Sequence, residues 1–155
     1  MATPGISITQ HAHNHEHMEE VYRRLIQVGF SQGEVAVVDD LFTPDFVEHQ
    51  AGVRPANAEG VKGLIAYLHR ALPDIAITIE DMAVVGDKVW GRLRARGTHR
   101  GSFLGVPPTG NAIGVEIIDI CRFDAGKIAE HWGYSDRLST LEQLGAAPRP
   151  SQEQA

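Results

Sequence analysis

The stretch from Gly97 to Asp136 narrows the choice of fold more than any other part of this chain. Its first half is built from turn formers: glycines at 97, 101, 105 and 110, with Pro107-Pro108 between them, interrupt both helix and sheet. From Ala112 to Phe123 the residues are largely β-branched, which predicts a long strand. Side chains alternate across a strand, so Ile113, Val115, Ile117, Asp119, Cys121 and Phe123 share one face. Asp119 is the only carboxylate on that otherwise apolar face. The opposite face carries Gly114, Glu116, Ile118, Ile120 and Arg122.

The turn that follows sets what Asp119 meets. Asp124-Ala125-Gly126 predicts a three-residue hairpin loop, with glycine where a positive φ is needed. With Phe123 and Lys127 flanking the loop as a pair, Cys121 faces Ala129, Asp119 faces His131, and Ile117 faces Gly133. Opposed side chains in a ladder interact directly. The pattern therefore proposes a carboxylate–imidazole pair on an apolar sheet face. A slip of one residue would bring Trp132 opposite Asp119 and turn His131 to the other side.

Upstream, Met18, Val21, Tyr22, Leu25 and Ile26 follow helical spacing and predict an amphipathic helix to about Gly29–Ser31. A shorter helix from about Glu34 carries Val35, Val38, Leu41 and Phe42 and ends at Pro44. Phe46 to His49 reads as a short extended piece before the loop Ala51–Pro55. Asn57 is placed to cap a third helix whose buried stripe is Val61, Leu64, Ile65, Leu68 and Leu72, with Pro73 as its stop. Tyr67 lies beside that stripe, where its hydroxyl could reach a cavity. Ile75, Ile77 and Ile79 open a strand to about Val85, and Gly86-Asp87 turns it into Lys88–Thr98. A last helix, Leu138 to Leu144, ends at Gly145. Helices first and antiparallel strands afterwards indicate an α+β fold.

The expected organisation is a single domain over 16–146, with flexible tails at 1–15 and 147–155. Four of the eight histidines alternate at 11, 13, 15 and 17. On a helix, His13 and His17 would share a face, but no carboxylate or cysteine completes a fixed ligand set, so no metal site is expected.

Composition excludes several function classes. A length of 155 residues suits one domain with a real core, and a net charge of -6 argues against a nucleic-acid surface. Arg92, Arg94 and Arg96 alternate beside Trp90, as on a solvated or subunit-contacting sheet face. No apolar run approaches a membrane span and nothing resembles a signal peptide, so a cytoplasmic protein with no membrane partner is expected. The single cysteine, Cys121, excludes an intramolecular disulfide and fits a reducing compartment. Its mid-strand position reads as a small buried hydrophobe.

Gly97-Thr98-His99, Gly105-Val106-Pro107-Pro108-Thr109-Gly110, Asp119-Ile120, Arg122-Phe123, Gly126-Lys127-Ile128 and Glu130-His131-Trp132 resemble the SnoaL-like polyketide cyclase family, in particular its ester cyclase branch. The resemblance extends through Phe46-Val47-Glu48-His49, Leu72-Pro73-Asp74 and Leu141-Glu142-Gln143-Leu144-Gly145. It implies the nuclear transport factor 2-like fold: a curved antiparallel sheet wrapped around N-terminal helices in a cone-shaped barrel that encloses an apolar pocket. It also implies homodimers through the outer sheet face. On that frame the candidate catalytic residues are Asp119, His131 and His49, and the pocket lining would include Tyr67, Phe103, Ile117, Cys121 and Gly133.

One departure matters. In the family's aldol-type cyclases, and in its limonene epoxide hydrolase relatives, an essential aspartate sits two residues after the position of His131. Here that residue is Gly133, which has no acid or base to offer. Catalysis would then use a rearranged set, with Asp119 as base and His131 or His49 as acid. Burial raises a carboxylate's pKa and an adjacent imidazolium lowers it, so such a pair can move protons near neutral pH.

The expected function is cofactor-independent acid/base chemistry on a small hydrophobic carbonyl compound, polyketide-like or terpenoid-like: cyclisation, isomerisation or elimination. The alternative is a non-catalytic binder on the same fold. A binder would lock Asp119 and His131 to each other and to backbone, with no free lone pair facing the cavity. A third reading is an assembly module acting through Trp90, Trp132 and the arginines.

Overall fold

Apolar residues at helical spacing bury one side of α1 (Ile8–Arg24), and Met18, Val21 and Tyr22 lie in the core as the periodicity requires. The structure, a computed structural model, describes residues 8–146. The expected tail segments 1–7 and 147–155 lie outside the described residues. Residues 8–15, expected within the N-terminal tail, are helical instead, and His17 Nε2 lies 2.9 Å from the Gly126 carbonyl. The helix widens into π turns over Leu25–Ser31, which keeps Leu25 and Ile26 in the core.

A short helix α2 (Val37–Leu41) leads straight into strand β1 (Phe42–Glu48). The strand starts earlier than the position of Pro44 suggested. β1 is an edge strand, where a missing backbone N–H is tolerated. Helix α3 (Ala58–Ala71) begins at the expected cap: the Asn57 side chain accepts hydrogen bonds from the Glu59 and Gly60 amides. Strands β2 (Ala76–Val85), β3 (Lys88–Thr98), β4 (Ala112–Asp124) and β5 (Lys127–Ser135) follow, and helix α4 (Arg137–Gln143) closes the described chain.

The five strands form one curved sheet in the order β1-β5-β4-β3-β2. β2, β3, β4 and β5 are antiparallel neighbours, whereas β1 runs parallel to β5. The sheet is therefore mixed, and it stays open at β1 and β2. The α+β class holds, with α1, α2 and α3 in the N-terminal half of the chain and α4 after the last strand.

The β4–β5 hairpin departs from the expected register and still yields the expected faces. Asp124 pairs with Lys127, leaving a two-residue loop of Ala125 and Gly126 at φ +46° and +79°. Two successive left-handed residues make the turn that matches strand twist in a hairpin. This shift alone would have turned His131 away from Asp119. A bulge then inserts one extra residue on β5, because Phe123 pairs with Ile128 while Arg122 pairs with Glu130. The two offsets add to an even number and restore parity. Asp119 lies opposite Gly133, Cys121 opposite His131, and Ile117 opposite Ser135, in place of the expected partners His131, Ala129 and Gly133.

The core divides into two clusters. One gathers α1, its π extension, α2, Phe46, Cys121 and Phe123; the other gathers the end of α3, Phe103, Ile113 and Val115. Ile117, partly buried, packs against both.

Candidate active site

Strand order places β5 between β1 and β4, so a side chain of β5 has a neighbour on either flank. His131 uses both. Glu48 is its partner across the parallel β1–β5 ladder, and Asp119 is its diagonal neighbour on β4. Nε2 lies 2.5 Å from Asp119 Oδ1, and Nδ1 lies 2.8 Å and 2.9 Å from the two Glu48 oxygens. His131, Asp119 and Glu48 are 7%, 5% and 4% exposed, so the network is shielded from water. Burial alone would discharge the ring. The Asp119 carboxylate and then Glu48 outweigh it and push the imidazole pKa up to about 10. At neutral pH the ring is an imidazolium that donates one N–H to each carboxylate.

Asp119 is flanked by glycine on both sides: Gly91 on β3 and Gly133 on β5. Each glycine leaves a notch, and a polar tip enters each. A Cβ on Gly91 would lie 2.0 Å from the Tyr22 hydroxyl; a Cβ on Gly133 would lie 2.3 Å from Gln50 Oε1. Burial, and next the Asp119 carboxylate, raise the Tyr22 pKa so that its hydroxyl stays protonated. A hydrogen-bonding contact with Asp119 adds to that pull, yet neither the Tyr22 hydroxyl nor Asp119 Oδ2, both buried, makes a hydrogen bond of full geometry. Asp119 thus holds one oxygen against His131 and keeps the other uncommitted.

Cys121 lies across from His131 and is fully buried. Burial, with Asp119 and Glu48 nearby, raises the thiol pKa well above its ordinary value, so the side chain stays a thiol and packs in the core. The donor atoms of Asp119, Cys121 and His131 lie within 4.8 Å of one another. That set does not suit a cation, since both imidazole nitrogens already serve carboxylates and the sulfur keeps its proton.

The remaining candidates divide. His49 points to the other side of the sheet, where its ring stacks on Trp132 at 4.6 Å and Nε2 bonds Glu130 at 2.8 Å. It takes no part in the buried network. Strand alternation explains this, because Phe46 and Glu48 share the inward face while Val47 and His49 point out. Tyr67 and Phe103 come together at 5.9 Å between ring centres, and the Tyr67 hydroxyl accepts a hydrogen bond from the Leu104 amide. They belong to the second core cluster, which reaches the Asp119 side through Ile117. Gly133 is buried beside His131 and carries Gln50 above it. A cavity of about 380 Å³, lined by Asp74, Arg94, Arg96 and Thr98 among others, contains none of the expected site residues.

Residue-by-residue reading missed three participants. Glu48 was discoverable from its alternation with Phe46. Tyr22 is the one hydroxyl-bearing residue in the apolar stripe of α1. Gln50 sits in a loop, where no periodicity marks a side chain as inward.

Known proteins place this arrangement. The sequence model of the family described as SnoaL-like polyketide cyclase matches residues 19–144. Aklanonic acid methyl ester cyclase of Streptomyces peucetius is 30% identical over 116 residues, covering 74% of this chain and 77% of that protein. Nogalonic acid methyl ester cyclase of Streptomyces nogalater is 28% identical over 131 residues, covering 80% and 94%. Among solved structures, wild-type IdmH, a candidate polyketide cyclase from Streptomyces antibioticus, superposes with a TM-score of 0.73 at 33% identity, covering 83% of this chain and 98% of that one. A candidate polyketide cyclase from Bacillus cereus gives 0.76 at 29%, covering 94% and 89%. With a match that spans most of the described residues and a shared fold, the chain belongs to the SnoaL-like polyketide cyclase family.

Proposed function

We propose that this protein closes a ring in a small polyketide-like carbonyl compound by cofactor-independent proton transfer, with Asp119 as the base. The observation that carries the reading is Asp119 Oδ2, which makes no hydrogen bond while Oδ1 is held 2.5 Å from His131 Nε2. Oδ2 removes a proton from the carbon next to a carbonyl, and the C–H electron pair becomes an enolate. The enolate carbon bonds to a second carbonyl carbon of the same molecule, and the new alkoxide takes the proton back from Asp119. Atoms and charge balance with no oxidant and no metal. His131 positions Asp119 and is not the proton donor, since both of its N–H groups serve carboxylates.

The binder alternative draws support from the locked state of His131 and the low exposure of the network. The unpartnered oxygen of Asp119 favours catalysis over it. The substrate class follows the relatives, whose names specify methyl esters of aklanonic and nogalonic acid. Incubating the protein with each ester and following the cyclised product by liquid chromatography and mass spectrometry tests the reading. Asp119→Asn should cut turnover by about two to four orders of magnitude. Undiminished turnover in that variant removes Asp119 as base.

The outer sheet face suits contact with a second copy of this chain. Trp90, Ile118 and Tyr134 are exposed there among the ion pairs of Arg92 with Asp81 and Arg94 with Glu116. A homodimer through this face is part of the proposal, and sedimentation as a monomer at micromolar concentration would end it. The free, buried thiol of Cys121 accords with action in the reducing cytoplasm. Among the described residues no helix is long and apolar enough to cross a membrane.

A further inference from the structure

We propose that the Gln50 carboxamide is the group that holds the substrate's carbonyl oxygen during proton removal, and that residue 133 is glycine so that Gln50 can occupy that place. This deepens the proposed function and rests on Asp119 being the base.

Taking a proton from carbon drives negative charge onto the neighbouring carbonyl oxygen, and a neutral donor aimed at that oxygen lowers the barrier. The site offers few such donors: the Tyr22 hydroxyl keeps its hydrogen, but its side chain is fully buried on α1. Asp119 and Glu48 are acceptors, and His131 spends both N–H groups on them. Among the described residues the Gln50 carboxamide has no hydrogen-bond partner, although its main chain is firmly held. The Gln50 amide donates to Glu48 Oε1 at 2.7 Å, and its carbonyl accepts from the Val53 amide at 3.3 Å. Gln50 is thus tied to the same Glu48 that fixes His131. Gln50 as a residue is partly exposed, in the loop after β1.

The Gly133 notch supplies the second half of the argument. A Cβ there would lie 2.3 Å from Gln50 Oε1, 3.1 Å from Gln50 Cδ and 3.0 Å from His131 Cε1. Any side chain at 133 therefore displaces the carboxamide. Asp119 is the ladder partner of Gly133, so the carboxamide stands one strand spacing from the base.

Aklanonic acid methyl ester is the probe. Gln50→Leu should lower kcat by about 10²–10³-fold, the usual worth of one oxyanion donor, with a thermal midpoint close to that of the parent protein. Gln50→Glu keeps the shape but loses the donor when ionised, so its activity should recover as pH falls and the new carboxyl is protonated. A purely structural Gln50 would show no such recovery. Gly133→Ala should mimic Gln50→Leu by moving the carboxamide. Binding is read separately in Asp119→Asn, where turnover is blocked: adding the ester should shift the Gln50 side-chain NH₂ resonance in a nitrogen-15 spectrum.

Full kcat in both Gln50 variants, with Asp119→Asn inactive, overturns the Gln50 assignment alone. A shifted Gln50 resonance with an ester the parent protein never cyclises overturns the ring-closing reading and keeps the contact. Binding without a shift overturns the contact, and absence of any binding ends both proposals.

Discussion

Asp119 stands directly across the β4–β5 ladder from Gly133. Opposed residues in such a ladder have Cβ atoms about 4.5–5.5 Å apart. The carboxylate that the family resemblance implies at position 133 is thus matched here by one a single strand away, on the same face. On the function proposed above, the acid stands on β4, and the notch at Gly133 admits the Gln50 carboxamide from the loop after β1.

The charge state of His131 can be measured directly. Its folded pKa is raised, to about 10. Against an unfolded value of about 6.5, the imidazolium contributes stability in full below pH 6.5, and that contribution is lost as pH rises through 10. The His131 ring resonance should therefore stay at its protonated position from pH 5 to 8. Glu48→Gln should lower the midpoint by about 1–3 pH units, since one of two attracting carboxylates is gone. A ring titrating near pH 6.5 in the parent protein would contradict the ion network.

Several of these contacts were readable in advance, for identifiable reasons. The inward face of β4 follows from alternation alone, and Asp119, Cys121 and Phe123 are all buried as expected. The pairing across the hairpin was not readable, because loop length and the bulge each shift the register and neither leaves a local signal. Their offsets cancel in parity, so Asp119 and His131 met through a different pairing from the expected one. His49 is the candidate that residue chemistry suggests in this strand, whereas alternation from Phe46 turns Glu48 inward. The parallel β1–β5 ladder joins segments about eighty residues apart, and no local pattern in either strand encodes its partner.

The cap of α3 gives a local stability test. Asn57 accepts from the Glu59 and Gly60 amides, which have no partner within the helix. Asn57→Ala should cost about 1 kcal/mol. For a chain of this size that lowers the thermal midpoint by about 2–4 °C. Asn57→Asp should retain most of the stability, and an unchanged midpoint in the alanine variant would show that water replaces the cap.

The N-terminal boundary of the folding unit is open to truncation. Although α1 begins at Ile8, Met18 is the first core residue among those from 12 onward, and residues 12–14, 16 and 17 are exposed. A chain starting at Glu16 keeps Met18, Tyr22 and the His17 contact with Gly126. It should melt within a few degrees of the parent protein. A large loss would mean that residues before 16 hold the first turns in place through their side chains.

Tyr22 and Gly91 provide the sharpest packing test, because the clash and its relief are both defined. A methyl group on Gly91 would lie 2.0 Å from the Tyr22 hydroxyl and 2.8 Å from the ring carbon that bears it. Tyr22 is fully buried on α1 and cannot swing aside without opening the core, so Gly91→Ala should destabilise by about 1–3 kcal/mol. Tyr22→Phe removes a buried hydroxyl that has no hydrogen-bond partner, so alone it should be neutral or mildly stabilising. In the double variant the 2.0 Å contact with oxygen is gone but the ring carbon remains 2.8 Å from the new methyl, so only part of the Gly91→Ala penalty should disappear. Denaturant melts of the parent, both single variants and the double variant give the coupling between the two sites. Strict additivity would show that the tyrosine tip does not occupy the glycine notch beside Asp119.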